Sequence, residues 1–201
     1  MKEKEKIIIH STNEFLERGF YKTTMDQLAS GMKISKKTIY KFFPSKILLL
    51  EKVVETFENK IKNDLENIVE SDECLIVKLK NLGSYFAKFS LKVNGKFISD
   101  FFNHQPELWK KIDTFRTDVI ENVWGALITE GKKEGLIIDV SNSVILIVVQ
   151  SAIRGIINPK FLNESSLSTN EAFEQMFTIL MNGILTEKGK IEFEKQEWNK
   201  K

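Results

Sequence analysis

Two short helical patterns separated only by Lys33-Ile34 constrain this chain more than any other feature. Thr24 is a good capping residue, and Met25, Leu28, Ala29 and Met32 follow it on one face at helical spacing. Ser35 offers a second cap, and the helix behind it runs through Ile39 and Tyr40 until Pro44 restricts Phe43 and ends it. So short a joint forces the helices to cross steeply, which is a helix-turn-helix. The second helix then turns Ile39 inward and carries Lys36, Lys37, Thr38, Tyr40 and Lys41 around its exposed sides. Ser45 caps a further helix and places Lys46 in its first turn, where a helix N-terminus favours phosphate.

Lysine runs are often plain solvated helix faces, so charge distribution has to separate the two readings. No acid occurs from Lys33 to Lys46, and residues 1–50 hold ten Lys or Arg against five Asp or Glu. Residues 51–201 reverse the balance, twenty against twenty-three, an asymmetry hidden in the whole-chain net charge of +2. A cationic module on a near-neutral body is the electrostatic footprint of a DNA-binding protein. A major groove about 12 Å wide admits such a helix, and lysines and hydroxyls bond phosphate oxygens or base edges. Thr24, Ser35, Lys36, Lys37, Thr38, Tyr40, Lys41 and Lys46 are therefore the candidate contacts to double-stranded DNA.

In combination, Arg18-Gly19-Phe20, Thr23-Thr24-Met25-Asp26-Gln27-Leu28-Ala29, Ile34-Ser35-Lys36, Thr38-Ile39-Tyr40 and Phe43-Pro44-Ser45-Lys46 form a specific pattern. From about Glu5 to Glu51 the chain closely resembles the DNA-binding domain of the tetracycline-repressor (TetR/AcrR) family of bacterial transcription regulators. The resemblance implies an all-α homodimer with an N-terminal helix-turn-helix three-helix domain and a C-terminal helical ligand-binding and dimerisation domain. It implies an operator-binding regulator, most often a repressor, that answers to a small-molecule effector. By the same resemblance, Thr24, Lys36, Tyr40 and Lys46 correspond to phosphate contacts, and Lys37 and Thr38 to base-reading positions. Two departures stand out. Met32-Lys33 occupies the turn where the family usually has a small residue and Gly, which asks Lys33 for a left-handed conformation costing about 1–2 kcal/mol. Lys37 stands where many members carry a small residue, so the operator sequence cannot be borrowed from relatives.

At 201 residues and 42% hydrophobic content the chain can bury a sizeable core, and the charge shift divides it at 1–46 and 47–201. A lone Cys74 excludes an internal disulfide, and with only His10 and His104 beside it no convincing transition-metal site can be assembled, so no cofactor is implied. The apolar stretch Ile7-Ile8-Ile9 is too short for a signal-peptide core, no run reaches the roughly 18 apolar residues of a membrane span, and cytoplasm is the expected compartment. Catalysis is not expected, because neither a nucleophile-elbow motif nor a glycine-rich phosphate loop occurs. A helical interaction module that uses the lysines for an acidic protein or a membrane surface is the alternative. It lacks the large apolar face that a surface-binding helix needs beside its basic one.

The opening helix turns Ile8, Phe15 and Leu16 inward and ends at Gly19. Behind Ser45, apolar residues recur at Leu49, Val53, Phe57, Ile61, Leu65 and Ile68 over about six turns, a long helix that spans the domain boundary. Further helices follow at Leu75 to Phe89, Gly95 to Phe102 and Ile112 to Ile128, with a helix exit and a short extended link at Gly135-Leu136-Ile137. The almost uniformly apolar run Val144–Val149 suits a buried strand or a helix. No other segment offers a partner strand, and the pattern continues to Ile157, which favours helix. The last long helix, from about Thr169, carries Phe173, Phe177, Leu180, Met181, Ile184 and Leu185. The family resemblance implies that these last two long helices form a four-helix dimer interface with their symmetry mates. The tail from Glu187 is expected to fray unless Ile191, Phe193 and Trp198 dock it.

Aromatic residues concentrate in the middle of the chain, where they serve either as core or as the lining of a pocket for an apolar or aromatic ligand. On the pocket reading the candidate lining is Phe86, Phe89, Phe101, His104, Phe115, Trp124, Gln150 and Arg154. Gln150 and Arg154 lie four apart on one helix and so can reach one ligand carboxylate together, while an ion pair from Arg154 to an acid across the dimer is the competing role.

Overall fold

A computed structural model describes residues 2–93 and 95–196. The described residues form eleven helices: α1 Glu3–Arg18, α2 Met25–Gly31, α3 Lys36–Phe42, α4 Lys46–Val69, α5 Leu75–Lys92, α6 Gly95–His104, α7 Pro106–Lys133, α8 Asn142–Ile156, α9 Pro159–Glu164, α10 Thr169–Ile184 and α11 Glu187–Lys195. The protein is all-α. The run Val144–Val149 is helical within α8, and an isolated antiparallel bridge joins Ile137 to Leu185.

Packing groups the chain into two compact units, one of Met1–Ile61 with Lys96–Ile112, the other of Lys62–Gly95 with Asp113–Lys201. The first therefore holds α1, α2, α3, the start of α4, α6 and the opening of α7. Its core is continuous: Ile7, Ile8 and Phe15 of α1 meet Leu28, Ile39, Leu49, Leu50 and Val53, and Phe101 and Leu108 join the same cluster. Phe15 and Phe20 close its inner end as an edge-to-face pair 5.5 Å apart. Phe101 is thus core of the first unit, packed beside Phe97 with ring centroids 4.7 Å apart.

In the second unit α10 packs on α5 and α8. Phe173, Met176, Phe177, Leu180, Met181 and Ile184 of α10 are buried, spaced three and four apart as a helix stripe requires. Gly135 (φ 69°) ends the α7 turn in the left-handed region, after which the Ile138 amide donates to the Ile184 carbonyl (2.9 Å) and the Thr186 amide to the Leu136 carbonyl (3.0 Å). That pairing directs the tail. The chain from Glu187 does not fray through the described residues: Thr186 caps α11, and Gly189 lies so close to the Leu136 carbonyl that an added Cβ would stand 2.3 Å from its oxygen. Lys80 adds a hydrogen bond to the Gln196 carbonyl and a cation–π contact 4.6 Å from the Phe193 ring centroid. Phe193 docks the tail while Ile191 stays exposed, and Trp198 lies outside the described residues.

Candidate nucleic-acid interface

The helix-turn-helix is built by its caps. The Thr24 hydroxyl accepts from the Gln27 amide (3.2 Å), and the Gln27 side chain accepts in return from the Thr24 amide (2.8 Å). Ser35 accepts from the Thr38 amide (3.1 Å) to open α3. Between the helices Lys33 takes φ 56°, the left-handed turn that Met32-Lys33 requires in place of glycine. The Ile34 amide then reaches back to the Ala29 carbonyl (3.0 Å), and the chain turns sharply into α3.

α3 is anchored by one side chain. Ile39 is fully buried, whereas Lys36, Lys37, Tyr40 and Lys41 are exposed and Thr38 is half-buried. Lys36 lies within cation–π range of Tyr40, 5.9 Å from the ring centroid, and Lys41 stands 5.8 Å from that of Phe42. The Lys36 ammonium also pairs with Asp26 on α2 (2.8 Å), a hydrogen bond that raises its pKa above the ordinary lysine value. Both partners are well exposed, so the pair adds little stability and Lys36 can be drawn to another anion. The Thr38 hydroxyl shares a hydrogen bond with that of Ser35 (2.8 Å), which orients it along the start of the helix.

Lys46 is placed differently from the α3 lysines. Its ammonium donates to the carbonyls of Phe20 (3.0 Å), Tyr21 (3.3 Å) and Thr23 (2.8 Å) and lies 4.4 Å from the Phe20 ring centroid. Burial lowers its pKa, while the charge of Asp100 acts in the opposite direction. Three backbone acceptors saturate an ammonium, so Lys46 ties the α1–α2 turn to the start of α4. The same turn is held from α6: the Tyr21 amide donates to Asp100 (3.1 Å), and the Tyr21 ring stacks on His104 at 4.1 Å. Nothing in the spacing of residues 19–46 points to Asp100 or to the Asp26–Lys36 pair, because both arise from segments distant in sequence or on separate helices.

The ligand candidates are divided between the units. Phe101 and His104 belong to the first, and Phe86, Phe89, Phe115, Trp124, Gln150 and Arg154 to the second. Phe86 sits 5.9 Å from Phe173, which stacks on Phe177 at 5.9 Å. Trp124 and Gln150 are buried, and Arg154 is exposed. Within its own chain Arg154 pairs with Asp113 (3.0 Å) and donates to Thr117 (3.2 Å). Among the described residues no cluster of His, Cys, Asp and Glu could hold a metal ion, and no helix is long and apolar enough to cross a membrane.

Residues 7–53 match the family model described as "Bacterial regulatory proteins, tetR family". The chain is 24% identical over 184 residues to an uncharacterized HTH-type transcriptional regulator of Bacillus subtilis (strain 168), covering 90% of this chain and 95% of that one. In fold it is similar to a TetR/AcrR-family transcriptional regulator from Thermobifida fusca (TM-score 0.63, 24% identity, 90% of this chain and 97% of that one). A second solved neighbour, from Saccharomonospora viridis in complex with choline, has a TM-score of 0.66 at 15% identity over 92% of this chain and 98% of that one.

Proposed function

We propose that this chain, whose residues 7–53 match the tetR-family model, is a DNA-binding transcriptional regulator of that family that acts as a homodimeric repressor released from a palindromic operator by a small apolar or aromatic effector. The observation that carries the reading is α3 itself: a helix fastened by Ile39 that presents Lys36, Lys37, Tyr40 and Lys41 to solvent with no acid in its sequence. Two such helices related by a two-fold axis enter successive major grooves with half-site centres about 34–36 Å apart. Lys36, Tyr40 and Lys41 engage phosphate together with the capped N-termini at Thr24 and Ser35, while Lys37 and Thr38 reach base edges. Lys46 acts from behind that surface, by holding the α1–α2 turn.

The second unit supports dimerisation. α8 buries Ile145 and Val149, yet its opposite side leaves Val144, Ile147 and Val148 exposed, and Ile179 on α10 is 72% exposed. Apolar residues repeated on one exposed helix side suit a self-complementary interface. An effector that binds better to the arrangement unable to hold DNA shifts the equilibrium toward release. α4, which contributes residues to both units, is the natural carrier of that shift.

The decisive measurement is fluorescence anisotropy of the full chain on its own upstream DNA against a pool of random duplexes, across a salt series. A salt-sensitive interaction with clear preference for the upstream fragment is the expected result. Equal affinity for both pools would remove sequence-specific operator binding, and no binding at low salt, before or after refolding to strip a bound ligand, would remove DNA binding altogether.

A further inference from the structure

Four polar side chains meet along the seam of α7 and α8 in the second unit, and a fifth, Gln150, lies one turn away on α8. The Arg154 guanidinium grips Asp113 through two donors, Nε to Oδ1 at 3.3 Å and Nη2 to Oδ2 at 3.0 Å, and Nη2 also donates to the Thr117 hydroxyl at 3.2 Å. Arg116, one turn along α7 with its side chain only 17% exposed, donates to the same Asp113 oxygen. Two guanidiniums thus converge on one carboxylate. One turn before Arg154 on the same helix, Gln150 is 8% exposed.

These features belong together chemically. Gln150 and Arg154 lie four apart on α8, so a single small anion at the seam is within the reach of both side chains. Among the described residues no acceptor meets the other terminal nitrogen of Arg154, Nη1, and half of the side chain faces solvent. Convergent arginines are the recognition geometry for a carboxylate, since each fork can meet two oxygens at once. Here Asp113 occupies that geometry from within the chain. The two arginines outweigh its burial and hold its pKa below the ordinary aspartate value, so it is ionised near neutral pH.

We infer that the α7–α8 seam is a carboxylate receptor, so that the effector is an apolar or aromatic acid whose anionic head is taken by Arg154 and Gln150 with Arg116 and Thr117 behind them. Asp113 is the stand-in that keeps the arginines neutralised and oriented until that head arrives. The inference rests on the reading that the second unit binds an effector, and it adds the charge class of that ligand. Binding exchanges partners and breaks no covalent bond.

The test uses the full chain and matched pairs of probes that differ only in charge: 1-naphthoate with 1-naphthamide, and octanoate with octanamide. Melting temperature and calorimetric affinity are measured for each. At least one acid is expected to raise the melting temperature with dose while its amide does not. Arg154→Gln weakens that acid by about tenfold or more, as loss of a charge-assisted bidentate contact should. Gln150→Leu guards against misfolding, because it places an apolar side chain at a buried position; it is expected to keep the ligand-free melting temperature while weakening the acid. Amides that bind as well as acids, no response to any acid, or wild-type affinity in both variants would each overturn the inference. DNA release by the same probes separates the two levels. An acid that binds the seam without releasing DNA upholds the receptor and overturns its regulatory role, whereas a neutral probe that releases DNA upholds regulation and overturns the anionic head.

Discussion

The two units place charge on opposite sides of their helices. In the first, α3 buries one isoleucine and faces solvent with lysines, so its binding surface is polar and its core apolar. In the second, α8 buries Gln150 and faces solvent with Val144, Ile147 and Val148, while Lys78, paired with Glu130 (3.0 Å), and Arg116, paired with Asp113, are largely withdrawn from solvent. The contrast is instructive about partners. A polyanion is met by mobile surface cations that release counterions, whereas a second subunit and an apolar ligand are met by apolar area with a few oriented polar groups.

If the first unit depends on one buried anchor, Ile39→Ala has the largest effect. It is expected to lower stability by about 2–5 kcal/mol and to abolish DNA binding, as checked by urea unfolding with anisotropy. An unchanged unfolding midpoint would mean that α3 is held by something else. On the other side of the comparison, Val148→Asp places a carboxylate twice in a two-fold interface and should cost at least about 2 kcal/mol of association, read as monomers in sedimentation with the helical circular dichroism retained. A dimer that survives this change would move the interface off α8.

Smaller effects sharpen the division within α3. Lys37→Ala and Thr38→Ala are each expected to change sequence preference by about 1–3 kcal/mol, whereas Lys36→Ala should weaken specific and random DNA alike and reduce the salt slope by about 1. Identical behaviour of the three variants on both pools would dismiss base reading through this helix. Smallest of all, Lys33→Gly should stabilise the chain by about 0.5–1 kcal/mol, because it relieves the φ 56° conformation while enlarging the freedom of the unfolded chain. Thermal melting decides its sign.

Much of the first unit was legible because its determinants are local. A capping hydroxyl lies three residues from the amide it accepts from, a left-handed turn replaces the missing glycine at Lys33, and Pro44 ends α3 with Phe43 extended at φ −135°. Periodicity likewise placed α4, α5 and α10, since burial on one helix face repeats every three or four residues. Charge alone leaves the tail free to fray or dock; through the described residues α11 is secured by Thr186, by the close approach of Gly189 to Leu136 and by Phe193 against Lys80, which are contacts and not composition.

Sequence alone determined the helical class, the two caps, the joint between α2 and α3 and the cationic face, because each follows from spacings of a few residues. Tertiary structure decided the rest. It put α6 and the opening of α7 with the N-terminal residues, turned Lys46 into a clamp on three carbonyls, and joined Asp113, Arg116 and Thr117 to Arg154 across some forty positions. Such pairings carry no periodicity. They depend on which helix faces meet once the apolar stripes are buried, and only the folded chain brings those faces together.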